Sequence, residues 1–229
     1  MNVAIIVAAG SGTRFGAEKP KQFLEIAGKP LLVHTLERFE ECSEIDEIVL
    51  VLAFDEIENF RQTLEKFTFK KLEKIITGGK TRAESVLNAL NSLDKKRVEI
   101  VAVHDGARPL VSSAEIAQTV KKAWETGAVC LVGKITDTIK LIADGKIIET
   151  LDRETLRRAQ TPQTFRFDIL KRAFAPENFD PSATDECFLV EKAGGSIIFV
   201  EGSAKNIKIT TREDFALAES FLQLFQKTF

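Results

Sequence analysis

The 229-residue sequence predicts an α/β fold, a doubly wound and mostly parallel sheet from which a β-hairpin projects. Three observations carry that reading. Short, continuous apolar runs rich in β-branched residues recur along the chain, as in strands covered on both faces. Segments with helical spacing separate these runs, which is the rhythm of crossover units. One stretch, Asp137 to Leu151, instead alternates on either side of Ala143-Asp144-Gly145 and reads as a hairpin.

In chain order, Val3 to Val7 (VAIIV) is the first buried strand and Leu31 to Phe39 has helical spacing. Glu47 to Ala53 is a second strand, Asp55 to Phe67 is helical, and Leu72 to Thr77 is strand-like. Thr81-Arg82-Ala83-Glu84 has the form of a capping box and opens a helix reaching about Leu93. Val98 to Val103 is a continuous strand signal that runs into His104-Asp105-Gly106-Ala107-Arg108-Pro109. Ser112-x-x-Glu115 caps a helix ending near Gly127, and Ala128 to Val132 is a further strand. Beyond the hairpin, the spacing predicts a helix around Phe167 to Phe174 and a proline-bearing loop from Pro176 to Pro181. A helix over Thr184 to Ala193, a strand over Ser196 to Val200 and a closing amphipathic helix over Thr211 to Phe225 follow. With no internal repeat or low-complexity linker, residues 1–229 read as one domain, with 137–160 as its arm.

Lys and Arg number 32 against 34 Asp and Glu, a formal net charge of -2. No global basic field favours nucleic acid, so cations must be concentrated locally and the partner is a small anion. Cys42, Cys130 and Cys187 lack metal-site or disulfide-framework spacing and read as reduced thiols. No run approaches the roughly 18 apolar residues of a membrane span, and the start lacks the pattern of a signal peptide. The expectation is a cytoplasmic protein with no membrane partner.

Behind the first strand the chain becomes small and glycine-rich. Ala8, Ala9, Gly10, Ser11 and Gly12 leave backbone N–H groups open to a ligand, and Arg14, Lys19 and Lys21 then supply positive charge. A bare loop followed by cations suits a polyphosphate, with Arg14 and Lys21 as the candidate phosphate-binding side chains. Gly10, Gly12 and Gly16 make G-x-G-x-x-x-G, which is not the dinucleotide fingerprint. A phosphate-loop pattern with Gly-Lys-Ser/Thr does not follow, and the near-match at Lys74 to Thr81 has Lys74 where its first glycine belongs.

These segments, AAGSGTRFG and KPKQF, resemble the opening of the sugar-nucleotide type nucleotidyltransferases, which are Rossmann-like. Together with TGGKTRAESV, HDGARP, ITDTIK, LDR, TPQTF, ATDE and NIKIT, all in the family's order, they resemble the methylerythritol-phosphate cytidylyltransferases of isoprenoid synthesis. The resemblance implies transfer of a cytidylyl group from CTP to 2-C-methyl-D-erythritol 4-phosphate with release of pyrophosphate. A second polyol phosphate, such as ribitol 5-phosphate, is the alternative acceptor on the same scaffold. The resemblance further implies that Arg14 and Lys21 hold the triphosphate and stabilise the transition state. It places Ala8, Ala9, Gly79 and Ser85 around cytosine and ribose, and Thr138, Arg153, Thr184 and Lys208 on the sugar phosphate. One departure is Gly106, where the family often has alanine. At this length the second domain of the fused two-activity versions is not expected.

Such chemistry attacks the α-phosphorus of a nucleoside triphosphate, so positioning and charge stabilisation are the main tasks. An attacking phosphate is already ionised and needs no general base, which suits a chain with two histidines, His34 and His104. Asp105, at a strand end, is the expected ligand for Mg²⁺; the alternative is a carboxylate that pairs with Arg108 to pin the loop. The hairpin exposes Ile139, Leu141, Ile142, Ile147, Ile148 and Leu151, and an isolated two-stranded ribbon is marginal in water. In the family resembled, this arm embraces its copy in a homodimer. Arg153, directly after the hairpin, is then expected to reach the partner's site.

Overall fold

The computed structural model describes residues 1–10 and 21–226. Its strands are β1 (Asn2–Val7), β2 (Glu25–Ile26), β3 (Lys29–Pro30), β4 (Glu47–Leu52), β5 (Leu72–Thr77), β6 (Ile100–Asp105), β7 (Ala128–Lys134), β8 (Ile139–Ala143), β9 (Lys146–Leu151), β10 (Arg157–Arg166) and β11 (Ile198–Glu201). The helices are α1 (Leu31–Glu40), α2 (Ile57–Leu64), α3 (Arg82–Ser92), α4 (Ser113–Thr126), α5 (Phe167–Ala173), α6 (Glu186–Lys192) and α7 (Arg212–Gln226). A 7-stranded sheet runs in the order β11-β7-β10-β6-β1-β4-β5. All its pairings are parallel except the two made by β10.

Alternate residues of the central strands feed two cores, as a pleated strand covered on both faces requires. Val3, Ile5, Val49, Val51, Val101 and Val103 face one core with α3, α5 and α6. Ala4, Ile6, Ile48, Leu50, Leu52 and Ala102 face the other with α1, α2 and α4. A smaller cluster seats α7 through Ala218 and Leu222 on Ile26, Leu31, Leu110 and Ile209. Both capping boxes form: the Thr81 and Ser112 hydroxyls accept the N–H of Glu84 and Glu115, and each glutamate returns to its cap. Gly127 ends α4 with φ of 91°, a left-handed position that favours glycine.

The hairpin is also present, as a separate ladder of β8 and β9. Asp144 and Gly145 both have positive φ, 49° and 73°, as a tight two-residue turn demands. Leu141, Ile142, Ile147 and Ile148 are exposed on it.

Some boundaries move for physical reasons. β6 begins at Ile100 and extends to Asp105, because His104 and Asp105 still pair with Ile6 and Val7 of β1. The helices expected over 55–67 and 184–193 shorten to α2 and α6, each preceded by a turn or cap. The sequence pattern gives no strand over Arg157–Arg166, yet β10 lies between β6 and β7. Pro162 fits because the ladder to β7 skips from Ala159 to Gln163, leaving it in an irregularity that needs no donor. The last residues of the 137–160 span therefore belong to the central sheet.

Phe165 of β10 is wholly buried in the first core. Phe165→Ala is expected to cost about 3–5 kcal/mol, seen as a lower urea midpoint. A loss under about 1 kcal/mol would mean that β10 is not a core strand.

Candidate active site

The site lies where β1 and β6 end side by side. β4 and β5 lie on one flank of β1, while β6, β10, β7 and β11 lie on the other. The order therefore reverses here, and the crevice beyond these carboxyl ends is where open α/β sheets collect ligands.

One wall is built from small residues. Ala8 and Ala9 follow β1, and Gly78 follows β5 so closely that a Cβ on it would overlap the Ala9 side chain and lie 2.8 Å from Ser85 Oγ. Ser85 Oγ accepts the Gly79 N–H at 3.0 Å and donates to the Thr81 carbonyl at 2.8 Å. The buried Gln22 donates Nε2–H to the carbonyls of Ala8 at 2.9 Å and Gly10 at 3.1 Å, fixing the chain as it leaves β1. Ala8, Ala9, Gly79 and Ser85 are thus brought together, with Gly10 exposed at the rim. Gly12 and Arg14 lie outside the described residues, as does the Lys21 side chain. The Lys21 backbone opens the 3-10 turn Lys21–Phe23 that carries Gln22.

The other wall is charged. Asp105 Oδ1 accepts from Arg82 Nε at 3.0 Å, and Oδ2 pairs with Lys208 Nζ at 2.9 Å and with Arg108 Nε at 3.7 Å. Burial acts to raise its pKa, but Arg82, Lys208 and Arg108 outweigh burial and hold the carboxyl well below the usual range. Arg108 is the most distant of the three; its Nη1 donates to the Asn206 carbonyl at 2.8 Å. Arg82 grips Glu186 with its other nitrogens, Nη1 to Oε1 at 2.5 Å and Nη2 to Oε2 at 3.1 Å. Burial works to lower the Arg82 pKa, but Glu186 and Asp105 outweigh it and hold the guanidinium above its usual value. Burial pushes the Glu186 carboxyl up, with Arg82 opposing.

Of the sugar-phosphate candidates, Lys208 joins this cluster and Thr184 is exposed just ahead of Asp185, the N-cap of α6. Thr138 and Arg153 stand at the base of the arm. Arg153 is exposed, donates to the Thr136 carbonyl at 2.7 Å and pairs with Glu154 at 3.6 Å. Among the described residues no group of three or more His, Cys, Asp or Glu is placed to hold a metal, so Asp105 stands as a single carboxylate.

The family model for IspD, 2-C-methyl-D-erythritol 4-phosphate cytidylyltransferase, matches residues 2–224. The chain belongs to this family. A cytidylyltransferase of that name from Clostridium perfringens is 45% identical over 224 residues, covering 96% of this chain and 98% of the relative. One from Alkaliphilus metalliredigens is 42% identical over 221 residues, covering 95% and 91%. Among solved structures, 4-diphosphocytidyl-2C-methyl-D-erythritol synthase from Anaerococcus prevotii superposes with a TM-score of 0.85 at 31% identity, covering 97% of this chain and 96% of that one.

In this IspD family member, two details explain how the 104–109 loop keeps its shape. A Cβ at Gly106 would lie 2.9 Å from both Ala8 Cβ and Leu32 Cδ1, so an alanine here requires a small retreat of β1 or α1. Gly106 also takes part in bonding: its N–H donates to the Val7 carbonyl and its carbonyl accepts from Thr35 Oγ1, both at 2.9 Å. The second detail is His104, wholly buried, with Nε2 3.1 Å from the Arg108 carbonyl and Nδ1 3.0 Å from Thr161 Oγ1. Only a protonated Nε2 can donate to that carbonyl, so Nδ1 accepts from the Thr161 hydroxyl. That hydroxyl oxygen in turn accepts the Asp105 N–H at 3.1 Å. His104 is a hydrogen-bonding residue that fixes the loop.

Glu186 and Gln22 have no single-residue signal in the sequence. Arg82 has one: a cation in the first turn of a helix opposes the helix dipole, which points to a specific anionic partner.

Burial lowers the His104 pKa to about 3 from 6.5. The unfolded chain takes up a proton near pH 6.5 that the folded chain refuses, so stability is full above that pH and declines as pH falls towards 3. His34, lowered by burial, acts in the same direction. His104→Gln is expected to lose less stability than the parent between about pH 7 and 5 in urea titrations; equal slopes would place His104 in water.

Proposed function

We infer that the chain transfers the cytidylyl group of CTP to 2-C-methyl-D-erythritol 4-phosphate, giving 4-diphosphocytidyl-2-C-methyl-D-erythritol and pyrophosphate. The observation that carries this reading is the meeting, at one strand-end crevice, of a small-residue wall and a charged wall built from five of the family's motifs. Ala8, Ala9 and Ser85 leave room for a pyrimidine and its ribose. Lys208 presents a cation on the opposite side.

In the reaction a phosphate oxygen of the acceptor bonds to the α-phosphorus of CTP, and the bond from that phosphorus to the bridging oxygen breaks. Pyrophosphate leaves with the electron pair. The acceptor phosphate is already an anion, so no side chain needs to remove a proton, and the neutral His104 is not asked to. Charge develops on the α-phosphoryl oxygens, where Arg14 and Lys21 are assigned to stabilise it. Lys208 and Thr184 orient the acceptor phosphate, and Asp105 sets the position of the Lys208 ammonium.

Mg²⁺ fits Asp105 as one protein ligand. The carboxylate is ionised, and Arg82 and Lys208 occupy two of its roughly four lone-pair positions. Asp105 would hold such a hard ion from the protein side, and the ion would neutralise phosphate charge there. No helix among the described residues is long and apolar enough to cross a membrane, and CTP and the acceptor are water-soluble; we assign the enzyme to the cytoplasm.

Pyrophosphate release from CTP, compared with methylerythritol 4-phosphate and ribitol 5-phosphate as acceptors, tests the reaction; faster use of ribitol phosphate would overturn the acceptor. Asp105→Asn is expected to raise the Mg²⁺ concentration for half-maximal rate by about tenfold or more. An unchanged titration would leave Asp105 as a residue that only pins the loop.

The arm supports a homodimer. Ile142 and Ile147, a cross-strand pair, are 69% and 66% exposed on a ribbon that makes no ladder with the central sheet. Such a ribbon needs a cover, and a second copy in two-fold symmetry supplies one. Arg153 then completes the partner's site while Arg14 serves its own. Mixing inactive Arg14→Ala with inactive Arg153→Ala, with subunit exchange verified, is expected to restore part of the activity. No restoration would keep Arg153 out of the neighbouring site.

A further inference from the structure

Glu186 sits beneath the charged wall without facing the crevice. The residue is 1% exposed, and both carboxylate oxygens are taken by Arg82. Its own position is set from the sheet. Gln163 Oε1 accepts the N–H of Glu186 and of Cys187, each at 3.0 Å, and Gln163 Nε2 donates to Asp185 Oδ2 at 2.9 Å. The first turn of α6 is thereby locked to β10. From that anchor Glu186 holds Arg82, the first residue of α3, and Arg82 Nε reaches Asp105 Oδ1.

This contact does more than staple two helices together. A buried ion pair roughly breaks even with a hydrophobic contact of the same volume, so joining α6 to α3 does not by itself call for charge. The guanidinium is also a rigid planar fork. With both Nη atoms held by one carboxylate, the Nε–H direction is fixed, and so is the place of the oxygen that accepts it. A fork released from Glu186 could turn two N–H groups onto Asp105 and draw that carboxylate away from Lys208 and the crevice. Glu186 also balances the Arg82 charge.

We propose that Glu186 is a positioning residue for cytidylyl transfer, acting through Arg82 to keep the Asp105 carboxylate aimed at the crevice. This rests on the reaction assigned above and on the site role of Asp105. Glu186→Gln keeps the shape and removes the charge. In the full-length protein with CTP, methylerythritol 4-phosphate and Mg²⁺, it is expected to lower kcat by about tenfold or more while KM for CTP moves less than about threefold.

The decisive measurement is the cycle with Asp105→Asn, run at enzyme concentrations where residual turnover is measurable. If Glu186 acts through Asp105, adding Glu186→Gln to Asp105→Asn changes kcat by less than about twofold. A full, multiplied loss in the double variant, or an unchanged kcat in Glu186→Gln, overturns the proposal. Should Glu186→Gln lose its cooperative thermal transition, Arg82→Lys replaces it in the same cycle. It keeps the cation and lacks the fork, and the same outcomes decide. Parent enzyme that releases no pyrophosphate refutes the reaction itself and this proposal with it; active parent with multiplied losses refutes only the role of Glu186.

Discussion

A charge buried at the end of a strand is the constraint around which this protein is arranged. Asp105 ends β6 at 7% exposure, where an ionised carboxylate without partners would be costly. Its cations arrive from separate parts of the chain: Arg82 from the start of α3, Arg108 from the adjoining loop, Lys208 from the segment before α7. Each must itself be held, by Glu186, by the Asn206 carbonyl, and by the Ile209 N–H bonded to the Ala107 carbonyl at 2.9 Å. Satisfying one carboxylate therefore ties residues from 82 to 209 into a single arrangement at the crevice.

Much of the fold was legible because apolar periodicity reports burial directly. Val3 to Val7, Glu47 to Ala53 and the two capping boxes are unambiguous patterns, and the chain has little else to do with them. The glycine-rich turn and HDGARP likewise mark the crevice, since small residues and a strand-end aspartate are local signals. The charged network was less legible. Arg82 and Glu186 are more than a hundred positions apart, and nothing in either stretch announces the other.

β10 shows the same limit in a strand. Gln160, Thr161, Gln163 and Thr164 are all buried in it, with a proline among them, so hydropathy and β-propensity both point away from a central strand. These polar side chains are tolerated because each has a specific partner. Thr164 Oγ1 donates to Thr119 Oγ1 at 2.9 Å, Gln160 Nε2 donates to the Ser203 carbonyl at 3.1 Å, and Thr161 and Gln163 hold the site. A strand that is polar inside because it positions other residues cannot be found by a method that equates burial with apolarity.

The direction of β10 has a further consequence. Because it runs against its neighbours, its first residue lies beside the last of β7, with Arg157 paired to Lys134. The chain thus leaves for the hairpin and returns from it on the ligand edge of the sheet. Had this strand run parallel, the returning chain would have had to enter at the opposite edge, about 20 Å away for six residues at roughly 3.3 Å each. A single reversal in an otherwise parallel sheet is what puts the root of the outlying ribbon and the candidate crevice on the same edge of the sheet.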